Sequence, residues 1–561
     1  MQPVTRYYYR SVKQFTRNII WVCLLLLASQ VLQAQQIMPP PTGGSDTLRT
    51  IQIIQGRDLR YMQVDSATTL ETISGDVIIK EGVTLFYCDS AVINRSTNTM
   101  EAFGKIHIND NDSIHTYAQY LRYVGGERVA YLKKKVQLTD KKGILYTEEL
   151  EYNLGTHIGQ YKNGGRIVNG KTTLTSTDGV YFADTKDVYF KKNVHLVDPK
   201  YDIRSDSLLY NTQSQIATFI APTRIVSKEG VIETKSGTYN LKTGEAAFFE
   251  RTKFEDSTHT AVADKMIFEE KTGILLMEGR AKFTDSANKV ILIGNHLEFN
   301  KKDQSFLGYQ KPVMILYDKN DSTYIAADTL FSGIRKPDLD SLSQKTDKKD
   351  KVQKDTLKQA KLNKPTAVNA KDTAIRYFLA FHHVRIFNDS LQAVCDSFYY
   401  SSEDSAFRMF DDPVVWNDKT QVTGDTIYLF TKNKNPERIY VFYNGLIINK
   451  ANDLMYNQIG GRTINGYFKE GSIDYMRVKG SPAESIFYPQ DDDSAYVGMN
   501  RSSGDVIDAY FINKELNKVK FINDVNGTMY PISKIPEDQR KLKGFEWLDK
   551  RRPKNKLELF E

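Results

Sequence analysis

The stretch CDSAVINRSTNTMEAFGKIHIND (residues 88–110) contains the pattern that decides the fold of this 561-residue chain. It places a polar residue at Asp89 and apolar residues two and four positions later, at Ala91 and Ile93. The polar turn NRSTN then leads into a second alternating segment, which carries Gly104 near its middle. Alternation with period two is typical of a half-buried β-strand, so the stretch predicts two strands joined by a turn.

The same phrase returns along the chain at a nearly fixed interval, for example as SDSLLYN (205–211), ADKMIFE (263–269), CDSFYYS (395–401) and GDTIYLF (424–430). We call the polar residue of each copy its anchor. The anchors are Asp89, Gln119, Glu148, Asp178, Asp206, Lys235, Asp264, Asn295, Asp328, Asp396 and Asp425. Successive anchors lie 28 to 33 residues apart, apart from one gap of 68 residues. A period of about 29 residues indicates a repeat architecture in which each unit buries its face against its neighbours.

Each unit is predicted to be a pair of bent antiparallel strands. Gly104, Pro222, Gly279 and Pro413 lie near the middle of second strands, where Gly or Pro marks a bulge or bend. Stacking the units predicts an all-β, elongated, folded-over antiparallel sheet with a continuous apolar interior. At about 10 Å per unit, the array reaches on the order of 100 Å. The residues predicted to face the interior, two or four positions after an anchor, are Leu121, Tyr123, Leu150, Tyr152, Phe182, Leu208, Tyr210, Met266, Phe268, Leu297, Phe299, Phe398 and Tyr400.

The N-terminus has the features of a secretory signal. A basic segment precedes the apolar run IIWVCLLLLA (19–28), which is shorter than the roughly twenty residues that a membrane-spanning helix needs. We therefore predict a signal peptide over residues 1–34, cleaved after Ala34, with an uncleaved anchor as the alternative. A Pro/Gly-rich tether is predicted over residues 35–50, and the mature chain is predicted to be exported.

The repeat pattern divides the rest of the chain into four parts. It predicts a β-repeat domain over residues 51–333 and a second, more divergent block over residues 374–530. Between them, residues 334–373 are rich in Lys and Asp and lack aromatic residues, which predicts a disordered insertion. Residues 531–561 are predicted to be a polar tail with a short helix that has Pro536 in its first turn, either a solvated cap or a basic contact with anionic head groups.

Charge and composition argue against several classes of function. Lys and Arg number 76 against 69 Asp and Glu, and four of the basic residues fall in the predicted signal peptide, which leaves 72. This near balance gives no basis for nucleic-acid binding. His382 and His383 are predicted to point to opposite faces of a strand and so not to share a metal ion. The recurrent acids suit turns and strand edges better than a pair of catalytic carboxylates, so the sequence predicts neither an enzyme nor a cofactor.

The repeat also resembles a known family. The order of polar anchor, apolar residues at two and four, turn, and then A-x-F-x-G-x-V-x-I is similar to the OstA-like family, the organic-solvent-tolerance and lipopolysaccharide-transport (LptA-like) type of β-jellyroll. Residues 88–110 and 205–226 carry the resemblance best. It covers residues 51–333 and, less closely, 374–450, and the pattern degrades after residue 455.

The resemblance implies a periplasmic protein that acts in outer-membrane biogenesis. Its interior would accept the acyl chains of lipid A, so the thirteen interior residues become candidates for contact with lipid. Unpaired strand edges at the ends of the array would dock other β-jellyroll or outer-membrane transport components. A stacked β-array needs an apolar interior simply to fold, so a non-catalytic exported β-solenoid scaffold, or a glycan-binding or adhesin protein, is the alternative.

Overall fold

The computed structural model describes residues 51–65, 68–317, 322–335, 374–432, 435–470, 472–512 and 515–560. The predicted signal peptide, the tether and residues 336–373 of the predicted insertion lie outside this range. Within it, forty β-strands form one antiparallel sheet, which confirms the all-β prediction. No helix in these ranges has the length and apolar character needed to cross a bilayer.

The strands, numbered in chain order, are β1 (Gln52–Gln55), β2 (Asp58–Gln63), β3 (Thr69–Glu81), β4 (Thr84–Asn94), β5 (Thr99–Asp110), β6 (Ile114–Val124), β7 (Val129–Thr139), β8 (Ile144–Asn153), β9 (Ile158–Tyr161), β10 (Gly165–Asn169), β11 (Thr172–Ser176), β12 (Asp178–Phe182), β13 (Asp187–Val197), β14 (Tyr201–Asn211), β15 (Ile216–Phe219), β16 (Thr223–Ser227), β17 (Gly230–Thr234), β18 (Gly237–Asn240), β19 (Glu245–Phe248) and β20 (Thr252–Glu255). They continue as β21 (His259–Ala263), β22 (Lys265–Glu269), β23 (Ile274–Asp285), β24 (Val290–Asn300), β25 (Ser305–Tyr309), β26 (Val313–Tyr317), β27 (Ser322–Ala326), β28 (Thr329–Arg335), β29 (Ile375–Phe387), β30 (Gln392–Ser401), β31 (Ala406–Phe410), β32 (Val414–Asn417), β33 (Thr420–Thr423), β34 (Thr426–Lys432), β35 (Asn435–Lys450), β36 (Tyr456–Lys469), β37 (Ser472–Phe487), β38 (Gly498–Ile512), β39 (Glu515–Ile522) and β40 (Asn526–Pro531).

Most repeat units of the array, which we call rungs, bend near their middle, opposite an anchor. In β5 the bend is formed by Gly104 and Lys105, which both have positive φ and together face the single residue Gln119 of β6. Two residues opposite one define a β-bulge, which turns the strand sharply. The acidic anchors hold such bends: Asp264 accepts hydrogen bonds of 2.8 and 2.9 Å from the guanidinium of Arg280. The anchors therefore mark the bends of the rungs, whereas the sequence had suggested turns and strand edges.

The bends divide the array into two facing sheets, which we call the first and the second arm. First-arm turns join β3 to β4, β5 to β6 and β7 to β8, and second-arm turns join β4 to β5, β6 to β7 and β8 to β9. The arms are continuous at the bends. Along the opposite long edge the two rows of turns approach each other, and we call this edge the seam.

Alternate residues of both arms point between them and form one continuous hydrophobic core. This core extends from Ile51 to Ala509. It continues across the predicted insertion, because β28 pairs with β29 in register from Thr329–Phe381 to Arg335–Ile375. The two predicted repeat blocks therefore share one sheet and one interior.

The C-terminal segment, residues 535–560, runs back along the outer face of the first arm, and we call it the strap. Buried glutamines of that face hold its backbone. Gln458 donates to the carbonyl of Arg540 and accepts from the amide of Leu542, both at 2.8 Å. Gln421, one rung earlier, contacts Glu546 and Leu548 in the same way, at 2.8 Å each.

The strap also fills apolar sites on the outer face of the first arm. Leu542 packs with Ile448 and Ile486, and Leu559 packs with Val313 and Ala326. The strap contains three short 3-10 helices, at Glu537–Gln539, Asp549–Arg551 and Lys556–Phe560, and a fourth, at Ile532–Lys534, immediately precedes it. The prediction of a solvated polar tail is therefore wrong, because its widely spaced apolar residues are paired with an apolar stripe that faces outward from the second block.

The linear array predicts that its two described cysteines stay unbridged. Cys88 and Cys395 are free and buried, and burial raises the pKa of each thiol to about 12. They lie about ten rungs apart, near 100 Å, whereas a disulfide requires Cα atoms about 4.4–6.8 Å apart. We expect the mature, unreduced monomer to show two reactive thiols after denaturation and almost none when native. A Cys88–Cys395 bridge within one chain would contradict the stacked array.

Candidate functional site: the interior and its seam

The structure places most of the predicted interior residues between the two arms. Buried in the core are Leu121, Tyr123, Leu150, Tyr152, Leu208, Tyr210, Met266, Leu297 and Phe398. Three more are partly buried and pack against that core: Phe268, Phe299 and Tyr400. Whether any of them contacts a lipid stays a prediction.

Phe182 is the exception, and its placement corrects the sequence register. In β12 the buried residues are Gly179 and Tyr181, whereas Phe182 lies on the outer face. On the preceding strands, the residue opposite the bend at Lys192 and Asn193 is Thr177, whose amide donates to the carbonyl of Lys192 at 2.9 Å. The anchor of this rung is thus Thr177 and not Asp178. A shift of one residue exchanges the two faces of a strand, so Tyr181 takes the interior position.

A row of buried polar contacts closes the seam in the N-terminal rungs. In each contact a tyrosine hydroxyl of the second arm donates to a carboxylate at a first-arm turn. The tyrosines are Tyr123, Tyr152 and Tyr181, 29 residues apart, and the acceptors are Glu81, Asp110 and Asp140. The hydroxyl–carboxylate distances are 3.0 Å for Tyr152 and 2.7 Å for Tyr181. We call these three contacts the latches.

Each latch has a basic side chain beside it, on the second-arm turn five residues after the tyrosine. His157 lies 3.7 Å from the Asp110 carboxylate, and Lys186 lies 3.5 Å from that of Asp140. In the first latch the corresponding residue is Arg128, which interacts with Tyr123. A buried carboxylate is costly unless it is paired and hydrogen-bonded, and the latches supply both kinds of partner.

The charge at the third latch is stabilised by its own turn. Burial raises the pKa of the Asp140 carboxyl, but hydrogen bonds from the Gly143 amide and the Tyr181 hydroxyl outweigh burial, so the pKa lies below its ordinary value. The pKa values of the tyrosines shift in the opposite direction. Burial, together with the nearby carboxylate, raises the pKa values of Tyr152 and Tyr181. The third latch therefore stays a carboxylate–hydroxyl pair at neutral pH.

The acids and tyrosines of this row are replaced by other residues further along the chain. In the fourth rung Asn169 takes the place of the acid, and its amide contacts the Tyr210 hydroxyl at 3.4 Å. The tyrosine series continues with Tyr239, which packs edge-on against Tyr201 with ring centroids 4.9 Å apart. At the next two positions the chain has Phe268 and Phe299, which have no hydroxyl group. The corresponding first-arm residues bond within their own turns: Ser227 donates to the Gly230 carbonyl, and Asp256 accepts from the amide of His259 at 2.7 Å.

Sequence reasoning missed the latches, although the sequence carries a signal for them. Glu81, Asp110, Asp140 and Asp198 recur at multiples of 29 or 30 residues, in phase with the tyrosines, at the ends of the second strands. Reading acids and tyrosines together at the repeat period would have found the pairs. Pairing them across the seam needed the structure, because the partners lie 41 or 42 residues apart.

The structure assigns His382 and His383 to a bend. Both have positive φ, so the expected alternation of a regular strand does not apply to them. His382 pairs with Asp396 at 3.2 Å and His383 with Asp328 at 2.9 Å. Across the described ranges, no group of three or more His, Cys, Asp or Glu side chains is arranged to hold a metal ion.

The fold and interior define a class: a stacked, folded-over antiparallel sheet with a continuous apolar core. A family profile described as OstA-like protein matches residues 50–206. A second, described as LptA/(LptD N-terminal domain) LPS transport protein, matches residues 173–305. These matches confirm the resemblance, and residues 50–305 carry the repeat of the OstA-like lipopolysaccharide-transport family. Both families consist of transport or binding proteins rather than enzymes.

Solved structures of other proteins are also similar to this chain, and one of them is a component of a lipopolysaccharide transport device. LptH, the LptA-homologous periplasmic component of the lipopolysaccharide transport device from Pseudomonas aeruginosa, is 14% identical. The similarity covers 19% of this chain and 83% of that chain, with a TM-score of 0.18. No curated protein matches the sequence.

Proposed function

We propose that this protein binds lipopolysaccharide and carries it through the periplasm during outer-membrane assembly, with the acyl chains of lipid A held between the two arms. The observation that carries the proposal is the single apolar core from Ile51 to Ala509, in a chain whose N-terminal half matches lipopolysaccharide-transport families. The protein acts without covalent chemistry and needs no cofactor.

The energetics of the cargo require such an interior. Each methylene group of an acyl chain costs about 0.8 kcal/mol when it is moved from an apolar environment into water. A chain between the arms keeps apolar contacts while the sugars remain in solvent at the seam. Successive rungs offer similar surfaces, so the lipid moves along the array with little change in free energy.

The interior side chains are packed against one another, which defines what uptake requires. Beneath the third latch, a cavity lined by Leu138, Leu145 and Ile167 measures about 10 Å³, close to the smallest volume that holds one water molecule. An acyl chain therefore enters only when the arms move apart. The same close packing is what a non-catalytic scaffold or glycan-binding adhesin requires, and this observation keeps that function as the second candidate.

The ends of the array are the surfaces that we assign to partners. At the N-terminal end, β2 pairs with β3, and its residues are exposed along its whole length, including Tyr61 and Met62. An exposed strand can extend the sheet into a neighbouring β-jellyroll or an outer-membrane transport component. Such stacking would lengthen the apolar interior across the periplasm.

Native mass spectrometry of the protein purified from the periplasm tests the proposed function. We expect a bound acylated glycolipid, and we expect lipid-free protein to take up added lipopolysaccharide. Phe268→Asp, which places a charge at a partly exposed interior position, should weaken uptake, whereas Lys265→Asp on the outer face of the same strand should not. Protein that is always empty, and that does not bind added lipopolysaccharide, would favour the scaffold.

A further inference from the structure

The seam is closed in two physically different ways along the matched rungs. From Glu81 to Lys186 it is held by the latches, whose tyrosines Tyr123 and Tyr152 are fully buried. Around the turns 256–259 and 300–305 it is held by aromatic packing. We call this second part, which includes Phe268 and Phe299, the mouth.

The rings at the mouth come from both arms. Phe299, on the second arm, lies 5.0 Å from the ring of Phe283 and 5.9 Å from that of His259, both on the first arm. Phe268 and Phe299 are partly exposed, although they continue the series of the buried tyrosines. The basic residue of the latches is also absent there, since Gly273 and Gln304 follow Phe268 and Phe299 at the distance at which Arg128, His157 and Lys186 follow the latch tyrosines.

The two kinds of closure differ in what opening them costs. Separating Tyr152 from Asp110 leaves the buried hydroxyl group without its acceptor and the carboxylate with the Thr84 hydroxyl but without the tyrosine donor, and an acyl chain offers no hydrogen bond in return. Separating Phe299 from Phe283 and His259 breaks apolar ring contacts, which an inserted acyl chain replaces with similar contacts. An apolar ligand therefore opens the mouth more readily than the latched seam.

Polar contacts also cross the seam beside the mouth. Glu270, on the second-arm turn 269–274, accepts a hydrogen bond from Tyr201 at 3.3 Å and pairs with Lys200 at 3.2 Å, both at a first-arm turn. The apolar part of the seam therefore lies between the turns 256–259 and 300–305, where an exposed ion pair is found. Lys301, on a second-arm turn, pairs with Glu229 on a first-arm turn. Their side chains are 61% and 63% exposed, so water screens the pair and replaces it when it breaks. It orders the surface above the interior without sealing it.

We propose that the mouth is the site where an acylated lipid first enters the interior, and that the latched rungs from residue 81 to 186 remain closed at this step. The proposal rests on the proposed function, because it assumes that an acyl chain is the cargo. It assigns the recognition of the cargo at this step to the aromatic residues Phe268, His259 and Phe299. The latches then act as positioning contacts that restrict where the arms separate.

Time-resolved hydrogen exchange during binding of lipopolysaccharide to the full-length mature protein tests the site directly. The first amides to change should lie in residues 256–274 and 290–305. Amides of residues 110–114 and 140–143 should change later or not at all. First changes in the latched turns would overturn the inference while leaving the proposed function intact, and wild-type protein that binds no lipopolysaccharide would overturn both.

A substitution that adds a hydroxyl group to the mouth gives the second test. Phe299→Tyr places a hydroxyl group at the position equivalent to Tyr152, facing the turn of Asp256, the equivalent of Asp110. We expect association of lipopolysaccharide to slow about threefold to tenfold, the effect of one net hydrogen bond on the opening equilibrium. Phe331→Tyr adds the same group on the outer face of β28 and should leave the rate unchanged.

Removing hydroxyl groups from the latches completes the comparison. In the double variant Tyr152→Phe and Tyr181→Phe, the latched seam acquires the side chains of the mouth, so exchange changes should now also begin at residues 110–114 and 140–143. If Phe299→Tyr binds at the wild-type rate and the double variant shows no new early changes, the chemistry of the seam does not control access and the inference fails.

Discussion

Removal of residues 535–561 should destabilise the second block strongly while leaving the first block folded. The truncation uncovers an outward-facing apolar stripe that includes Val414, Trp416 and Ile448, which the strap now buries. It also removes the buried side chains of Leu542 and Leu559, and burying a leucine contributes about 1.5–3 kcal/mol. Because stacked repeats open locally, we expect the loss in residues 374–531.

Hydrogen exchange and size-exclusion chromatography check this result. Protection should fall in β30 to β38 and persist in β3 to β24, and the truncated protein should self-associate through the uncovered stripe. A matched pair of point variants tests the packing of the strap without removing it. Leu559→Asp places a charge at a position 2% exposed and should release the end of the strap, whereas Leu557→Asp, at a position 68% exposed, should have little effect. Equal stability of the truncated and full-length proteins would show that the strap is not needed.

The repeat period predicted the fold because each rung repeats the same physical requirement. An anchor at a bend, two inward-facing apolar residues and a tight turn recur in most rungs, so errors in single rungs do not affect the architecture. The failure at Asp178 shows the limit of this reasoning. Thr177 and Asp178 are both polar, and only the pairing of their strands with β13 distinguishes which residue lies at the bend of Lys192 and Asn193.

The strap could not be predicted from period or composition. Its apolar residues Ile535, Leu542, Leu548 and Leu559 are separated by 6 to 11 residues, which fits neither a helix nor a strand. Their partners lie on the outer face of the first arm, a face that a repeat of this kind is expected to leave polar. Trp416 and Ile448 were visible as outward-facing apolar residues only after the register of β32 and β35 was known. The strap therefore reflects contacts distant in sequence.

The same distinction between local pattern and contacts distant in sequence applies to the candidate site. The interior positions follow from alternation within a strand and were predicted with one exception. The contacts at the seam depend on which turn of one arm faces which turn of the other, and this offset cannot be read from the sequence. The pairs Glu81–Tyr123 and Asp110–Tyr152 span 42 residues, about one and a half repeats, so neither lies within a single unit of the pattern.

A charge in the closed part of the interior should have the largest effect of any single substitution considered for the first block. Leu208, in β14, is 0% exposed and lies between Phe190 and Phe219 on the neighbouring strands. At pH 7, Leu208→Asp should cost about 4 kcal/mol, because a carboxylate there lacks both water and a partner. Leu209→Asp, one residue away on the outer face, should change stability by no more than about 0.5 kcal/mol.

The pH dependence of the Leu208→Asp variant provides a check on the cause. Burial raises the pKa of a carboxyl in the folded state above the value of about 3.9 that it has in the unfolded chain. Stability relative to the wild type is therefore highest below that value, where the group is neutral in both states, and falls as the pH rises toward the folded-state pKa. Hydrogen exchange in β13 to β15 at pH 4 and pH 7 measures the difference. A deficit that is the same at both pH values would mean that lost packing rather than buried charge causes it, and an equal effect of Leu209→Asp would show that the assignment of the two faces in β14 is wrong.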